Sequence, residues 1–363
     1  MIAFGSLAMV LALTGYAGEK FLTDKVNSAL PNADLLGNDV AKGNTIKGAI
    51  NILLVGLDTR PANPAMGSRS DSIIIAHIPP THDRVYMVSI PRDTNAYIPA
   101  DKKTGWNGGD MKINAAFYEG SMKSGGMSGG FQLLAETIKH DYDISFNGGA
   151  IVDFDGFSDI VKKLGGVTLN VDEKTTSIHH GYLIANPTVH AAPYVLDPNC
   201  GCPKYGFNHP IAGVKPVVYK VGLQKMSAYE ALDYVRIRDG LVGTDYARQR
   251  HQQQFLKAMM KEMFDEGLSN PTKLLGFLNS LGKAISFDSG GVSMTNWIFT
   301  LKGISPSSIV TIKTNDGQYD HYNGTTSEAR QQLNPTSLKL LKSVVNDTMD
   351  QFVAQYPSWV ATS

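Results

Sequence analysis

"GSRSDSIIIAHIPPTHDRVYMVSIPRDT", residues 67–94, governs how the rest of the chain is read. Two apolar runs, "DSIIIAHI" and "RVYMVSI", are joined by the short "PPTHD", the pattern of two strands closed into a hairpin. Arg69, Asp71, Arg92 and Asp93 stand at the ends of those runs. Strand interiors demand apolar side chains, whereas strand ends are where an α/β protein gathers its ligand groups. A charged rim on an apolar sheet is a candidate site.

Upstream, "INILLVGLD" reads as a further buried strand running into Asp58. Downstream, "GGFQLLAETIKH" (about 129–140) and "FDGFSDIVKKL" (154–164) carry helical spacing, the second stopped by Gly165 and Gly166. Between and after them, "ISFNGGAIVDF" and "GVTLNVD" read as strands. "SAYEALDYVRIRD" predicts a short helix with Ser227 as N-cap, leading into an extended "YVRIR". "TDYARQRHQQQFLKAMMKEMF" predicts a long helix with Phe255, Leu256, Met259, Met260 and Met263 on its core side. Helices at about 271–285, 292–302 and 335–353 and a strand "SIVTIKT" complete the reading. Strands alternating with helices imply an α/β fold, a mixed sheet covered by helices.

The chain has 363 residues, 42% hydrophobic and 18% charged, which suffices for one large core or a core with an added lobe. Lys+Arg 33 against Asp+Glu 33 leaves no net charge. That balance argues against nucleic acid as a partner, because such binding draws on a basic field. The uncharged "MIAFGSLAMVLALTGYAG", residues 1–18, sits near the lower length limit for a bilayer span. A membrane anchor is its first reading; a cleaved signal and a buried helix are the others. Residues 19–47 read as a linker, and 173–222 as an irregular, lid-like insertion. Cys200 and Cys202 in that insertion could form a strained loop disulfide, remain two thiols, or lend sulfur to a weak zinc site with His209.

Four charged clusters invite chemistry: Asp58-Thr59-Arg60, Arg69-Ser70-Asp71, Arg92-Asp93, and Arg236-Ile237-Arg238-Asp239 with Asp245 and Arg248. An extended "YVRIR" would put Arg236 and Arg238 on one face, and three-residue spacing on a helix makes Asp245 and Arg248 neighbours. Each cluster taken alone is more simply a surface ion pair of little energetic weight. Together they suit a polyanion such as a pyrophosphate, since guanidinium grips phosphate in a two-pronged fashion and never loses its charge. Asp58 and Asp71 suit Mg²⁺, which takes one or two carboxylates together with substrate phosphates. The glycine-rich "KSGGMSGGFQLL" precedes a helix and reads first as a flexible loop, with an anion seat at the helix N-terminus as the alternative, and His179, His180 and His190 read as weak metal candidates. Esterase elbows, zincin helices and phosphate-binding P-loops have no counterpart in the sequence.

Taken in order, "NILLVGLDTR", "SRSDSIIIAHI", "VYMVSIPRDT", "KINAAFYEGS", "VDFDGFSDIVKKLGGVTLNV", "ALDYVRIRDG" and "DYARQRHQQQ" closely resemble the LytR-CpsA-Psr family of Gram-positive bacteria over about residues 50–258. The resemblance implies a three-layer α/β/α sandwich with a mixed central β-sheet, a catalytic domain over 48–266 and a C-terminal extension over 267–363. It implies a single-pass protein of the cell membrane with its catalytic domain extracellular. Its activity would be a phosphotransferase moving an anionic glycopolymer from a polyprenyl-pyrophosphate carrier to peptidoglycan. Carried over, Asp58 and Asp71 would hold Mg²⁺, or Mn²⁺ in its place. Arg69, Arg92, Arg236, Arg238 and Arg248 would clamp the pyrophosphate, and Asp245 would be the base for the incoming hydroxyl. Two departures stand out: His251 where many relatives carry arginine, and Ala247 where glycine is frequent. A pyrophosphatase using the same residues, a non-catalytic lipid or wall-polymer carrier, and a transcriptional attenuator are the competing functions. An aliphatic slot for the lipid would draw on Ile151, Phe154, Phe157, Ile160, Phe255 and Met259, although core packing is their default role.

Overall fold

The computed structural model describes residues 32–37, 46–57, 68–196, 208–238, 241, 245–269, 282, 285–301, 303–322 and 330–361. In chain order the first elements are β1 (Ile50–Leu57), β2 (Ser70–Ile78), β3 (Val85–Ser89), β4 (Asn95–Ile98), β5 (Gly109–Lys112), α1 (Asn114–Ser121), α2 (Gly126–Tyr142), β6 (Gly148–Val152) and α3 (Phe154–Lys163). Next come β7 (Val167–Val171), β8 (Thr175–Leu183), β9 (Asn186–Ala191), β10 (Tyr194–Leu196), β11 (Asn208–Pro210), β12 (Val214–Tyr219) and β13 (Gly222–Met226). The remainder comprises α4 (Ala228–Tyr234), α5 (Asp245–Ser269), β14 (Ile285–Asp288), α6 (Met294–Leu301), β15 (Ile309–Ile312), α7 (Pro335–Val345) and α8 (Met349–Gln355).

Six strands form the central sheet in the order β14-β6-β1-β2-β3-β15. The pairs β1/β2, β2/β3 and β14/β6 are antiparallel, whereas β1/β6 and β15/β3 are parallel, so the sheet is mixed as expected. Period-two alternation divides its side chains between two cores. Ile50, Ile52, Ile74, Ala76, Val85 and Met87 face a layer containing Phe157 and Ile160 of α3, Tyr234 of α4 and Phe255 and Met259 of α5. Leu53, Val55, Ile73, Ile75, Tyr86 and Val88 face Phe117 of α1, Phe131 and Leu134 of α2, and Leu340 and Val344 of α7. A sheet that is apolar on both faces must be covered twice, which produces the three layers.

The chain beyond residue 266 contributes both outer strands of this sheet, β14 and β15. Part of the segment read as a linker also docks: Leu35 and Leu36 are buried, and both backbone N–H groups donate to Asp288 Oδ2 at 2.8 Å. Gly290 N–H donates to the other oxygen of the same carboxylate at 2.8 Å. Asp288→Ala strands three N–H donors at a buried position, so it is expected to lower stability by about 3 kcal/mol. Urea unfolding reads this as a lower midpoint with an unchanged slope; an unchanged midpoint would show that the docked segment adds nothing.

Four expectations are corrected. The segment 173–222 is not irregular: it contains β8, β9 and β12, which pair as a three-stranded antiparallel sheet, and the small β10/β11 pair. Its pattern was hidden because β9 is mostly exposed and β8 turns Thr175 and Ser177 inward, so no apolar alternation arises. "YVRIR" is not extended either. Helix α4 ends at Tyr234 with Val235 as its C-cap, and the N–H groups of Arg236 and Ile237 both reach Asp233 O, at 3.0 and 3.2 Å, closing a turn. Burial of Ala231, Tyr234 and Val235 at helical spacing overrides the β-branched look of the stretch.

The glycine-rich "KSGGMSGG" is not a loose loop throughout: residues 123–125 form a turn, and from Gly126 the stretch is the start of α2, crossing α1 at close range. A Cβ on Gly129 would lie 2.4 Å from Gly120 O, so only glycine permits that approach. Similarly, Gly149 in β6 admits the Phe131 ring, which would stand 2.3 Å from a Cβ. The expected helix over 335–353 breaks into α7 and α8 at Asp347, whose φ of 56° is left-handed. Residues 1–31, Asp58, Arg60, Asp239 and both cysteines lie outside the described residues, as does most of the helix expected at 271–285. Among the described residues no helix is long and apolar enough to cross a membrane.

Candidate active site

Strand polarity brings the charged clusters to one end of the sheet. The register pairs Leu57 at the end of β1 with Ser70 at the start of β2, and Ile74 with Ser89 at the end of β3. Asp71 therefore lies beside the chain that turns out of β3 into Arg92, and β6, parallel to β1, ends in Val152 at the same rim. Such a rim at the carboxyl ends of strands is where open α/β sheets bind ligands.

Arg92 is the hub. Its Nη1 donates to Asp71 Oδ1 at 2.8 Å, while Nε lies 3.9 Å from Asp93 Oδ2 and 3.7 Å from Asp245 Oδ1. Lys112, which the sequence reading passed over, grips Asp93 at 2.8 Å. At the first turn of α5, Arg248 Nη2 stands 2.6 Å from Asp245 Oδ1 and donates to Asp71 O at 3.3 Å. Gln249, one helical turn from Asp245, donates to Asp245 Oδ2 at 3.0 Å; i, i+4 spacing was the signal that could have found it. The predicted Asp245–Arg248 adjacency is thus realised, but in ion-pair contact without hydrogen-bond directionality. Asp245 Oδ1 and the Nε atoms of Arg92 and Arg248 all remain buried without a hydrogen-bond partner.

Burial opposes the charge on Arg92, yet Asp71, Asp245 and Asp93 outweigh it and hold that guanidinium above its ordinary range. Arg248 goes the other way: burial pulls it down against Asp245 and Asp71, with the fields of Arg92 and Arg238 adding to the pull. Crowded guanidiniums with unpaired N–H groups accept an anion readily, because phosphate oxygens can replace the carboxylates that hold them.

A cleft of about 910 Å³, mouth included, opens beside this cluster between the sheet and α3, α4 and α5. Asp71 and Arg236 contribute to its lining, which otherwise includes Leu54, Leu57, Val152, Phe157, Ile160, Leu232, Phe255, Leu256 and Met259. Phe157, Ile160, Phe255 and Met259, slot candidates whose default role was core packing, do both, lining the cleft and packing in the adjoining core. Ile151 instead faces the opposite core, and the Phe154 side chain is outside the described residues. Leu54, Leu57, Val152 and Leu232 were missed, since nothing in an aliphatic run distinguishes cleft from core.

The remaining predicted residues are more dispersed. Arg69 is exposed, with its guanidinium 5.6 Å from the Tyr118 ring centre. Arg238 is exposed and reaches the cluster through its field on Arg248. Of the carboxylates expected to hold Mg²⁺, Asp71 is at the cleft mouth, and Asp58 follows the last residue of β1 in the chain. An all-oxygen donor beside an anion-receptive cluster fits a hard divalent cation. The C-terminal region braces the corner: Gln331 N–H donates to Asp93 O at 3.0 Å, and Tyr246 OH to Gln331 Oε1 at 3.0 Å.

Away from this centre, His179 pairs with the buried Asp233 at 3.0 Å, and Tyr219 OH donates to the same carboxylate at 2.7 Å. Arg250 holds Asp172 and Glu173. Its neighbour His251 is wholly buried, and burial pulls its imidazole down to about 4, leaving it neutral at physiological pH.

The α/β/α domain thus carries an arginine-carboxylate cluster at the mouth of an apolar cleft. The sequence pattern of the LytR_cpsA_psr family matches residues 20–342, and the chain belongs to that family. It is 27% identical over 71% of its length to the polyisoprenyl-teichoic acid–peptidoglycan teichoic acid transferase TagV of Bacillus subtilis, 55% of which is covered. It is 27% identical over 70% of its length to the cell wall biosynthesis protein LcpA of Corynebacterium glutamicum, 48% of which is covered. The chain thus spans about half the length of these curated relatives. Among solved structures, B. subtilis TagV superposes with a TM-score of 0.55 at 22% identity, covering 84% of this chain and 98% of that one. The structure of TagT bound to LIIa-WTA gives a TM-score of 0.54 at 22% identity, covering 86% and 97%. Both likenesses support the α/β/α fold.

Proposed function

We propose that this protein is a phosphotransferase that moves an anionic glycopolymer from a polyprenyl-pyrophosphate carrier to a peptidoglycan hydroxyl. The observation that carries the reading is the junction of the apolar cleft with the Arg92 cluster, where Asp71 and Arg236 line the cleft itself. A polyprenyl pyrophosphate has those two halves: a long apolar chain and a doubly anionic head. Similarity to TagV, a teichoic acid transferase, and to LcpA, a cell wall biosynthesis protein, supports the reading.

In the resting site the arginines are neutralised internally by Asp71 and Asp245. An incoming pyrophosphate would exchange partners with them. Arg92, Arg248, Arg236 and Arg238 then bind phosphate oxygens, Arg69 supports the rim, and the released Asp245 carboxylate accepts a proton. The acceptor hydroxyl oxygen attacks the glycan-linked phosphorus, and its proton passes to Asp245. The bond from that phosphorus to the bridging oxygen breaks, and polyprenyl phosphate leaves with the electron pair. Guanidinium groups preorganised around the bridging oxygen stabilise the charge developing there. Mg²⁺ (Mn²⁺ as substitute), held by Asp71 and Asp58, would supply further charge neutralisation on the phosphates. Residues 1–18 would anchor the chain in the cell membrane with the catalytic domain outside.

The test is the full chain with a synthetic polyprenyl-pyrophosphate glycan, Mg²⁺ and peptidoglycan oligomers, with products read by mass spectrometry. A phosphodiester-linked adduct is expected, with Asp245→Asn slower by about 10²-fold or more and lipid binding retained. Lipid phosphate release without an adduct would indicate hydrolysis instead. Binding without turnover would indicate a carrier.

A further inference from the structure

Asp172 and Glu173 directly follow β7, and His251 projects from α5 toward them. The oxygen and nitrogen atoms these three side chains offer lie within 4.8 Å of one another. His251 Nδ1 lies 3.2 Å from Tyr234 O, and because a carbonyl can only accept, Nδ1 carries the proton and the neutral ring has its lone pair on Nε2. That Nε2 is buried with no hydrogen-bond partner. It faces Asp172 Oδ1 at 3.8 Å, which is likewise buried without one. Two lone pairs opposed in a buried place are unfavourable unless a cation lies between them.

Arg250 does not fill that gap. Its contacts are with Asp172 Oδ2 and Glu173 Oε1, leaving Asp172 Oδ1 and Glu173 Oε2 for another partner. Two carboxylates against one guanidinium leave the cluster with one net negative charge. An imidazole whose far nitrogen is anchored on a backbone carbonyl is the usual support of a metal-bound histidine. The mixed nitrogen and oxygen donors select a transition ion over Mg²⁺ or Ca²⁺.

We propose that Asp172, Glu173 and His251 form a site for a divalent transition-metal ion of the Zn²⁺ type, separate from the substrate site. Bound there, the ion ties the end of β7 to α5 and, through the His251–Tyr234 hydrogen bond, to the turn that carries Arg236. His251 lies one turn beyond Arg248 on the same helix, so the ion holds two clamp arginines in register without touching substrate. Its role is positional.

The experiment is metal analysis of the full chain after saturation with Zn²⁺ and gel filtration, paired with thermal melts with and without Zn²⁺. Wild type is expected to retain Zn²⁺ at this site and to melt higher with it, in preference to Mg²⁺. Glu173→Gln and His251→Gln are expected to weaken Zn²⁺ binding by at least about tenfold. Glu173→Gln, at a partly exposed position, keeps the test sound if the buried His251→Gln chain does not fold. Co²⁺ substitution gives an independent readout: visible absorption bands in wild type that vanish in Glu173→Gln. Unchanged Zn²⁺ affinity in folded Glu173→Gln, or no Zn²⁺ retained by wild type, overturns the proposal. Neither readout depends on turnover.

Discussion

Arg92→Ala is expected to lower glycopolymer transfer by roughly 10³-fold or more while the protein stays folded. This guanidinium reaches the three carboxylates of Asp71, Asp93 and Asp245, within 2.8, 3.9 and 3.7 Å. Its loss leaves Asp71 and Asp245 facing an incoming pyrophosphate without their shared counter-charge, so the anion meets repulsion where it should meet a clamp. Stability should change less, because the side chain, though largely buried, belongs to the charged cluster and not to either hydrophobic core. Arg92→Lys is the informative companion. It restores the charge but not the planar fork, so it should recover only part of the rate. Turnover measured beside far-ultraviolet circular dichroism checks both claims, and wild-type turnover by Arg92→Ala would remove the cluster from the mechanism.

Leu256→Trp should separate lipid recognition from chemistry. Leu256 lines the cleft from α5 and is only partly buried, so the larger ring extends into open space without overpacking a core. Displacing roughly 80 Å² of lipid contact at about 25 cal/mol per Å² costs about 2 kcal/mol, or a ~30-fold rise in KM for a long-chain carrier. A carrier truncated to one or two isoprene units never reaches that depth and should be used as well as by wild type. Equal losses on both carriers would mean that the cleft holds something other than the lipid tail, or that the substitution disturbs α5.

Much of the fold was legible because the signals were local. The "DSIIIAHI" and "RVYMVSI" runs became β2 and β3 joined by a short turn, and the Ser227 cap begins α4 with Glu230 completing a capping box. Asp245 and Arg248 met as their spacing required. Failures arose where burial was decided by distant parts of the chain. Arg236 left its expected strand because Tyr234 and Val235 are needed in the core beneath the sheet. β8 and β9 escaped notice because neither buries an apolar stripe.

From its residues alone, the chain determined an α/β protein with arginines and carboxylates at strand ends and family motifs in the family's order. Those properties reside in side-chain chemistry and in spacing along a strand or helix, which a linear reading captures. Tertiary structure decided the rest. It chose which of many equivalent aliphatic residues face an open cleft, gave the C-terminal region both outer strands of the sheet, and set His251 against Asp172 with lone pairs opposed. Each of these is a contact between segments far apart in the chain, created only when packing excludes water from one place and leaves it in another.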